Sequence, residues 1–161
     1  MLRCSKCKSA HYCNRDCQKA HWKAHKRRCK GVVAERVAKV LRETGYDDLV
    51  HAAFDGDLVA VRALVAAGAD ANQATNDGAT PTLIAAQKGL VDVVRCLAEN
   101  GAKLDKAIND GATPTYIAAQ NGHVDVVRCL AENGAKLDQA ANYGFTPTFI
   151  AAQNGHVDIV R

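Results

Sequence analysis

The sequence predicts a mainly α-helical solenoid of stacked turn-helix-helix units, preceded by a small Cys- and His-rich module and a linking helix. Three observations predict it. Gly78-Ala79-Thr80-Pro81-Thr82 recurs as Gly111-Ala112-Thr113-Pro114-Thr115 and again as Gly144-Phe145-Thr146-Pro147-Thr148, at a spacing of 33 residues each time. Met1 to Lys30 carries ten Lys or Arg against the single Asp16, whereas the remainder of the 161-residue chain is net acidic. Five of the seven cysteines, Cys4, Cys7, Cys13, Cys17 and Cys29, crowd into that basic start, with only Cys96 and Cys129 beyond it.

Within each unit the punctuation is explicit. Thr80 suits an N-cap, and Pro81 suits the first helical turn, where a missing N–H removes no hydrogen bond. Ala85-Ala86 keeps this first helix slim enough for a neighbouring unit to approach. Gly89 allows a tight turn, Asp92 stands at the positive N-terminal end of the next helix, and Val93, Val94 and Leu97 give that helix an apolar face. Gly101 closes it as a left-handed C-cap. Asn109-Asp110-Gly111 is a hairpin-like turn signal between units. Asp77 to Asn109 and Asp110 to Asn142 differ only at Leu83/Tyr116, Lys88/Asn121, Leu90/His123, Lys106/Gln139 and Ile108/Ala141.

These residues resemble the ankyrin repeat, whose Thr-Pro-Leu-His-x-Ala signature stands here as Thr80-Pro81-Thr82-Leu83-Ile84-Ala85, Thr113-Pro114-Thr115-Tyr116-Ile117-Ala118 and Thr146-Pro147-Thr148-Phe149-Ile150-Ala151. Thr replaces the family's Leu, and Leu, Tyr or Phe replaces its His, so local repacking is expected there. A fainter first copy aligns His51-Ala52-Ala53 with Ile84-Ala85-Ala86, Gly56 with Gly89, Val61 with Val94 and Leu64 with Leu97. It has Asp47-Asp48 instead of Thr-Pro, as a terminal unit with solvent on one side would. The expected units are 46–76, 77–109, 110–142 and an incomplete 143–161, and the stop at Arg161 part-way through a helix reads as a piece of a longer chain.

Protein recognition is what the resemblance implies for the stack. Leu83, Tyr116 and Phe149 recur in register and have two readings: inter-repeat core, or an apolar and aromatic strip offered to a protein partner. Cys96 and Cys129 sit beside Leu97 and Leu130 and read as small buried residues. His123 and His156 follow the turn glycines Gly122 and Gly155 and read as structural, while His51 belongs to the first-repeat core or its edge.

The basic start has metal-ligand spacing: Cys4-x2-Cys7-x5-Cys13-x3-Cys17, then His25-x3-Cys29. A Cys-x2-Cys knuckle can hold one ion, and His25 and Cys29, four apart, share one helical face. A closed Cys3His set suits structural zinc because no coordination position remains for a substrate water. The wording Cys4-Ser5-Lys6-Cys7, Tyr12-Cys13, Cys17-Gln18, Trp22-Lys23-Ala24-His25 and Cys29 resembles the second part of a MYND-type zinc finger over residues 1–29. That resemblance implies a cross-brace in which Cys4, Cys7, His25 and Cys29 share one zinc, while Cys13 and Cys17 serve a second. Only Met1, Leu2 and Arg3 precede Cys4, so the first Cys-x2-Cys of the family is absent and the second site is half present. Either it lies upstream or Cys13 and Cys17 borrow His11 or His21.

In the same family the positions matching Gln18 and Trp22 contribute to a groove for short proline-rich peptides. An indole face packs on proline rings and an amide can bond an extended backbone. The alternative is that Trp22 staples its helix to the knuckle. Lys19, Lys23, Lys26, Arg27, Arg28 and Lys30 offer a nucleic-acid reading, yet only Tyr12 and Trp22 could stack on bases and no base-reading element is recognisable. A disulfide framework is opposed by the odd cysteine count and the lack of a signal peptide. A catalytic Cys-His dyad lacks an orienting third group, so no catalytic residue is assigned.

Between Gly31 and Gly45, Val33, Val37, Val40 and Leu41 repeat at helical spacing, which predicts a linker helix over 30–45 covering the open end of the first repeat. No run approaches the roughly 18 to 20 apolar residues of a membrane span. The expected protein is an intracellular adaptor, cytoplasmic or nuclear, binding zinc and proteins. Its alternatives are a nucleic-acid-associated regulator, or the regulatory part of a larger MYND-containing methyltransferase.

Overall fold

A computed structural model describes residues 2–3, 11–12 and 31–160. Two short strands, β1 (Leu2–Arg3) and β2 (His11–Tyr12), pair antiparallel with Leu2 opposite Tyr12 and Arg3 opposite His11. Helix α1 covers residues 31–44 and ends at Gly45, whose N–H bonds the Leu41 carbonyl at 2.9 Å. Four helix pairs follow: α2 (Leu49–Asp55) with α3 (Leu58–Ala67), α4 (Pro81–Lys88) with α5 (Val91–Glu99), α6 (Pro114–Gln120) with α7 (Val124–Glu132), and α8 (Pro147–Gln153) with α9 (Val157–Val160).

The chain starts each first helix by the expected chemistry. The hydroxyl of Thr80 accepts from the Leu83 N–H at 3.2 Å, that of Thr113 from Tyr116 and that of Thr146 from Phe149, with the proline at the following position each time. In the divergent first unit Asp48 does the same work, accepting from the His51 N–H at 2.8 Å. The turns between units are hairpin-like without becoming strands: Ile108 N–H bonds the Ala112 carbonyl at 3.0 Å and Gly111 N–H the Ile108 carbonyl at 2.9 Å.

First helices α2, α4, α6 and α8 pack side by side as one layer, and α3, α5 and α7 form the second layer behind them. The core lies between the layers. Leu64, Leu97 and Leu130 are fully buried at the 33-residue spacing, as are Val61 and Val94 in register with each other, and Val126 is fully buried one residue out of that register. Each such side chain contributes about 1.5–3 kcal/mol by leaving water, so stability accrues joint by joint along the stack. The alanine pairs Ala52-Ala53, Ala85-Ala86 and Ala118-Ala119 are completely inaccessible, which is what close approach of the first helices requires.

Helix α1 meets the first unit through Val37, Val40 and Leu41, which pack on the core, and through Val33, which lies over Gly68. Arg36 adds a bond from its guanidinium to the Ala66 carbonyl at 3.1 Å. The expected cover is thus present but partial, because Ala34 and Ala38 are too short to fill the space beneath. They border an open groove of about 860 Å³ toward Leu64 and Val65.

Candidate protein-binding surface and metal centre

The in-register strip resolves differently at its three positions. Leu83 is 4% exposed and Tyr116 9%, whereas Phe149 is 47% exposed. Leu83 and Tyr116 are therefore inter-repeat core and do not form the partner surface expected of them; the following unit stacks over each and takes them out of reach. Phe149 has no following unit stacked over it among the described residues, and one face of its ring stacks on Phe145 with centroids 4.7 Å apart.

The threonines that replace the family's leucine carry a cost. Thr82 and Thr115 are 0% and 1% exposed, and neither side-chain hydroxyl has a hydrogen-bond partner. Their methyls fill the joint, but the oxygens gain nothing there.

The imidazoles are structural, and their geometry is specific. His123 bonds the Gln87 carbonyl through Nε2 at 3.1 Å, and His156 bonds the Gln120 carbonyl at 3.0 Å, each reaching back to the preceding unit. A carbonyl only accepts, so Nε2 carries the proton in both rings. The same carbonyls accept from the amides of Asn121 at 3.2 Å and Asn154 at 2.9 Å. Each ring lies directly on a turn glycine: a Cβ at Gly89 would stand 2.8 Å from His123 Nδ1, and one at Gly122 would stand 2.6 Å from His156 Nδ1. His51 is at the edge, exposed beside Asp47 and Asp48 at 3.7 Å from each.

Cys96 and Cys129 are buried free thiols. Burial pushes both thiol pKa values up, only partly opposed by Arg62 near Cys96 and Arg95 near Cys129, so both remain protonated and unreactive at neutral pH.

What the stack presents to solvent is a comb of hairpin tips. Asn76-Asp77, Asn109-Asp110 and Asn142-Tyr143 are exposed in succession, and Tyr143 is 80% exposed where the two earlier tips carry aspartate. The comb is cross-linked: Asn109 N–H bonds the Asp77 carbonyl at 3.4 Å, Asn142 N–H the Asp110 carbonyl at 3.0 Å, and the Asn142 amide the Asn109 carbonyl at 3.1 Å. Lower down, Asn72 Oδ1 accepts from Lys103 N–H at 2.6 Å and Asp105 Oδ1 from Lys136 N–H at 2.8 Å. The Thr75 hydroxyl donates to the Asp77 carboxylate and holds its pKa below the usual carboxylate value. Sequence reasoning did not single out Tyr143, although its departure from Asp77 and Asp110 in otherwise near-identical units was the available signal.

The expected zinc ligands Cys4, Cys7, Cys13, Cys17, His25 and Cys29 lie outside the described residues, as do Gln18, Trp22, His21 and the basic cluster Lys19, Lys23, Lys26, Arg27, Arg28 and Lys30; only the backbone of His11 is described. Among the described residues no group of three or more His, Cys, Asp or Glu side chains could hold a metal. The donor set itself, thiolates with an imidazole, fits zinc. No helix among the described residues is long and apolar enough to cross a membrane.

The ankyrin-repeat family matches in three overlapping copies, at residues 32–108, 49–141 and 103–161. This chain belongs to the ankyrin-repeat family. The MYND finger family matches residues 1–29, so the ankyrin stack carries an N-terminal MYND-type zinc finger. A segment of 51 residues, 32% of this chain, is 40% identical to Tudor domain-containing protein 1 of Oryzias latipes and covers 4% of that protein. A segment of 39 residues, 24% of this chain, is 46% identical to SET domain and MYND-type zinc finger protein 6 of Schizosaccharomyces pombe and covers 8% of it. The matches thus span a small part of either relative. Ankyrin repeats and MYND fingers are protein-interaction modules, and a MYND finger binds zinc.

Proposed function

We propose that this ankyrin-repeat chain is a two-site adaptor, in which the finger docks short proline-rich peptides and the stack binds a second protein through its hairpin tips. The observation that carries the reading is the cross-linked comb. Asp77, Asp110 and Tyr143 are held exposed at regular intervals by backbone bonds between units, so a partner meets a surface that is ordered before it arrives. Tyr143 is the anchor, a large amphipathic side chain at the end of an acidic row.

In the finger, covering 1–29 ahead of a 30–45 linker helix and the 46–161 stack, Cys4, Cys7, His25 and Cys29 hold one structural zinc, and Cys13 and Cys17 supply half of a second site. Zinc folds this segment, which is too small to bury a sufficient core by itself. Trp22 and Gln18 then line the peptide groove. Titrating fluorescent proline-rich peptides into the full chain tests this. Saturable binding that is lost on chelation and on Trp22→Ala is expected; binding unchanged by both treatments refutes the finger assignment.

A further inference from the structure

An apolar surface that serves neither the comb nor the joints between units lies where α1 meets the first unit. Inside the stack the second helices close on one another with valine and leucine, and Val61, Leu64, Val94 and Leu97 are all inaccessible. Along its side of the groove α1 brings Val33, Ala34, Val37, Ala38 and Leu41, and the two alanines leave about 860 Å³ unfilled, a size typical of ligand sites. Val33, Val37 and Leu41 stay half-exposed there, although Val37 and Leu41 also pack on the core. The facing wall is Val65, Ala66 and the loop that follows α3.

The charge around this groove has one sign left unpaired. Asp47 and Asp48, where the chain passes from α1 to α2, and Asp70, on the loop after α3, all line it. Among the described residues none of the three is paired with a lysine or arginine, and the Asp47 side chain is 91% exposed. No lysine or arginine is among the described lining residues. Arg36 and Lys106 reach the edge, but each is engaged by a backbone carbonyl at 3.1 Å, of Ala66 and of Asn72.

We infer that this groove is a docking site for an amphipathic helix of another protein, one with apolar residues at i, i+3 or i+4 and i+7 and with lysine or arginine flanking them. The wall dictates a helix. Valine, alanine and leucine side chains offer no hydrogen bonds, and α1 spends its backbone groups within itself, so an extended peptide laid there would bury unpaired N–H and C=O groups. A helical occupant arrives with those bonds made. Val33 to Leu41 spans about 12 Å of helix, close to the reach of an i to i+7 face. The apolar face fills the space over Ala34 and Ala38. Its basic side chains reach Asp47 and Asp70 while their stems cover the apolar rim. Asp77, Asp110 and Tyr143 do not line the groove, so this surface is separate from the comb.

The probe is a fluorescein-labelled peptide of about 14 residues, blocked at both ends, with leucine at helical i, i+3, i+4 and i+7 spacing and lysine elsewhere. Anisotropy with the full chain shows saturable binding. A peptide with glutamate for every lysine, and one with the leucine order scrambled, bind at least tenfold more weakly. Asp47→Asn/Asp70→Asn weakens the lysine peptide about fivefold, as expected for two exposed ion pairs. Ala38→Phe occupies the groove and weakens it at least tenfold with the urea midpoint maintained; if that midpoint falls, Ala34→Phe at the exposed neighbouring position replaces it in the test. Asp77→Lys/Asp110→Lys/Tyr143→Ala leaves peptide binding unchanged.

Absence of saturable binding, equal binding of the three peptides, or indifference to the groove variants overturns the inference. Loss of binding in the Asp77/Asp110/Tyr143 variant also overturns it, by moving the peptide to the comb. Lys26→Gln/Arg27→Gln/Arg28→Gln/Lys30→Gln leaves the affinity unchanged; tighter binding in that variant would make the chain's own basic segment the occupant and overturn the assignment to a partner.

Discussion

Replacing Gly122 by alanine separates the cost of backbone strain from the cost of opening a joint. Gly122 and Gly134 both hold positive φ, at 78° and 84°, so alanine at either meets the same left-handed penalty of about 1–2 kcal/mol. Their surroundings differ. Nothing lies within 4 Å of a Cβ at Gly134, whereas at Gly122 the new methyl stands 2.6 Å from His156 Nδ1 and 2.7 Å from Cε1. The ring must swing away, which breaks its bond to the Gln120 carbonyl and uncovers the turn. A lost hydrogen bond is worth about 0.5–1.5 kcal/mol and the lost packing about as much again, so Gly122→Ala costs about 1–3 kcal/mol more than Gly134→Ala. Urea denaturation of the two variants, followed by circular dichroism, measures the difference. The His156→Ala background completes a double-mutant cycle, in which the excess cost at Gly122 disappears because the ring is already gone. Equal costs at the two glycines, or an excess that survives His156→Ala, refutes the reasoning about the joint.

Other consequences follow from single groups. Thr82→Val and Thr115→Val each raise stability by about 1 kcal/mol, since they delete a buried hydroxyl without a partner and keep its volume, whereas Thr148→Val at the exposed equivalent changes little; thermal melts of the three variants compare them. The thiols of Cys96 and Cys129 are held above the ordinary 9.0 by burial. The folded chain therefore keeps protons that the unfolded chain releases, and this contribution is intact below pH 9 and lost as pH rises past it. Urea midpoints between about pH 8 and 10 fall less steeply in the Cys96→Ala/Cys129→Ala variant, and a slope identical to the parent contradicts the assignment. Elemental analysis of chain purified under reducing conditions finds zinc. Cys4→Ser or Cys29→Ser removes metal, while Cys96→Ser does not, and a zinc-free parent chain would refute the proposed ligands.

Much of the stack was legible because its signals are local. A threonine followed by proline states where a helix begins, a glycine after the last helical residue states where it turns, and both recur at 33-residue spacing. The joints were less legible, since a position's environment depends on the unit that follows it. Leu83, Tyr116 and Phe149 occupy one register position, yet two are core and one is exposed, because burial there is conferred by a neighbour that periodicity alone does not supply. The partners of His123 and His156 were hidden for a similar reason: a backbone carbonyl 36 residues away carries no sequence mark. The unpartnered Thr82 and Thr115 hydroxyls were half-legible, as a departure from the family pattern whose consequence needed the packed joint. The finger ligands were read from spacing and chemistry alone and lie outside the described residues.

The two-site claim is tested most directly by partner capture with the full chain and two surface variants, Trp22→Ala in the finger and Asp77→Lys/Asp110→Lys/Tyr143→Ala on the comb. Both surfaces are proposed to act separately, so each variant loses a different set of bound proteins while keeping its helical circular dichroism. Identical partner sets for parent and both variants, with folding intact, would contradict the account.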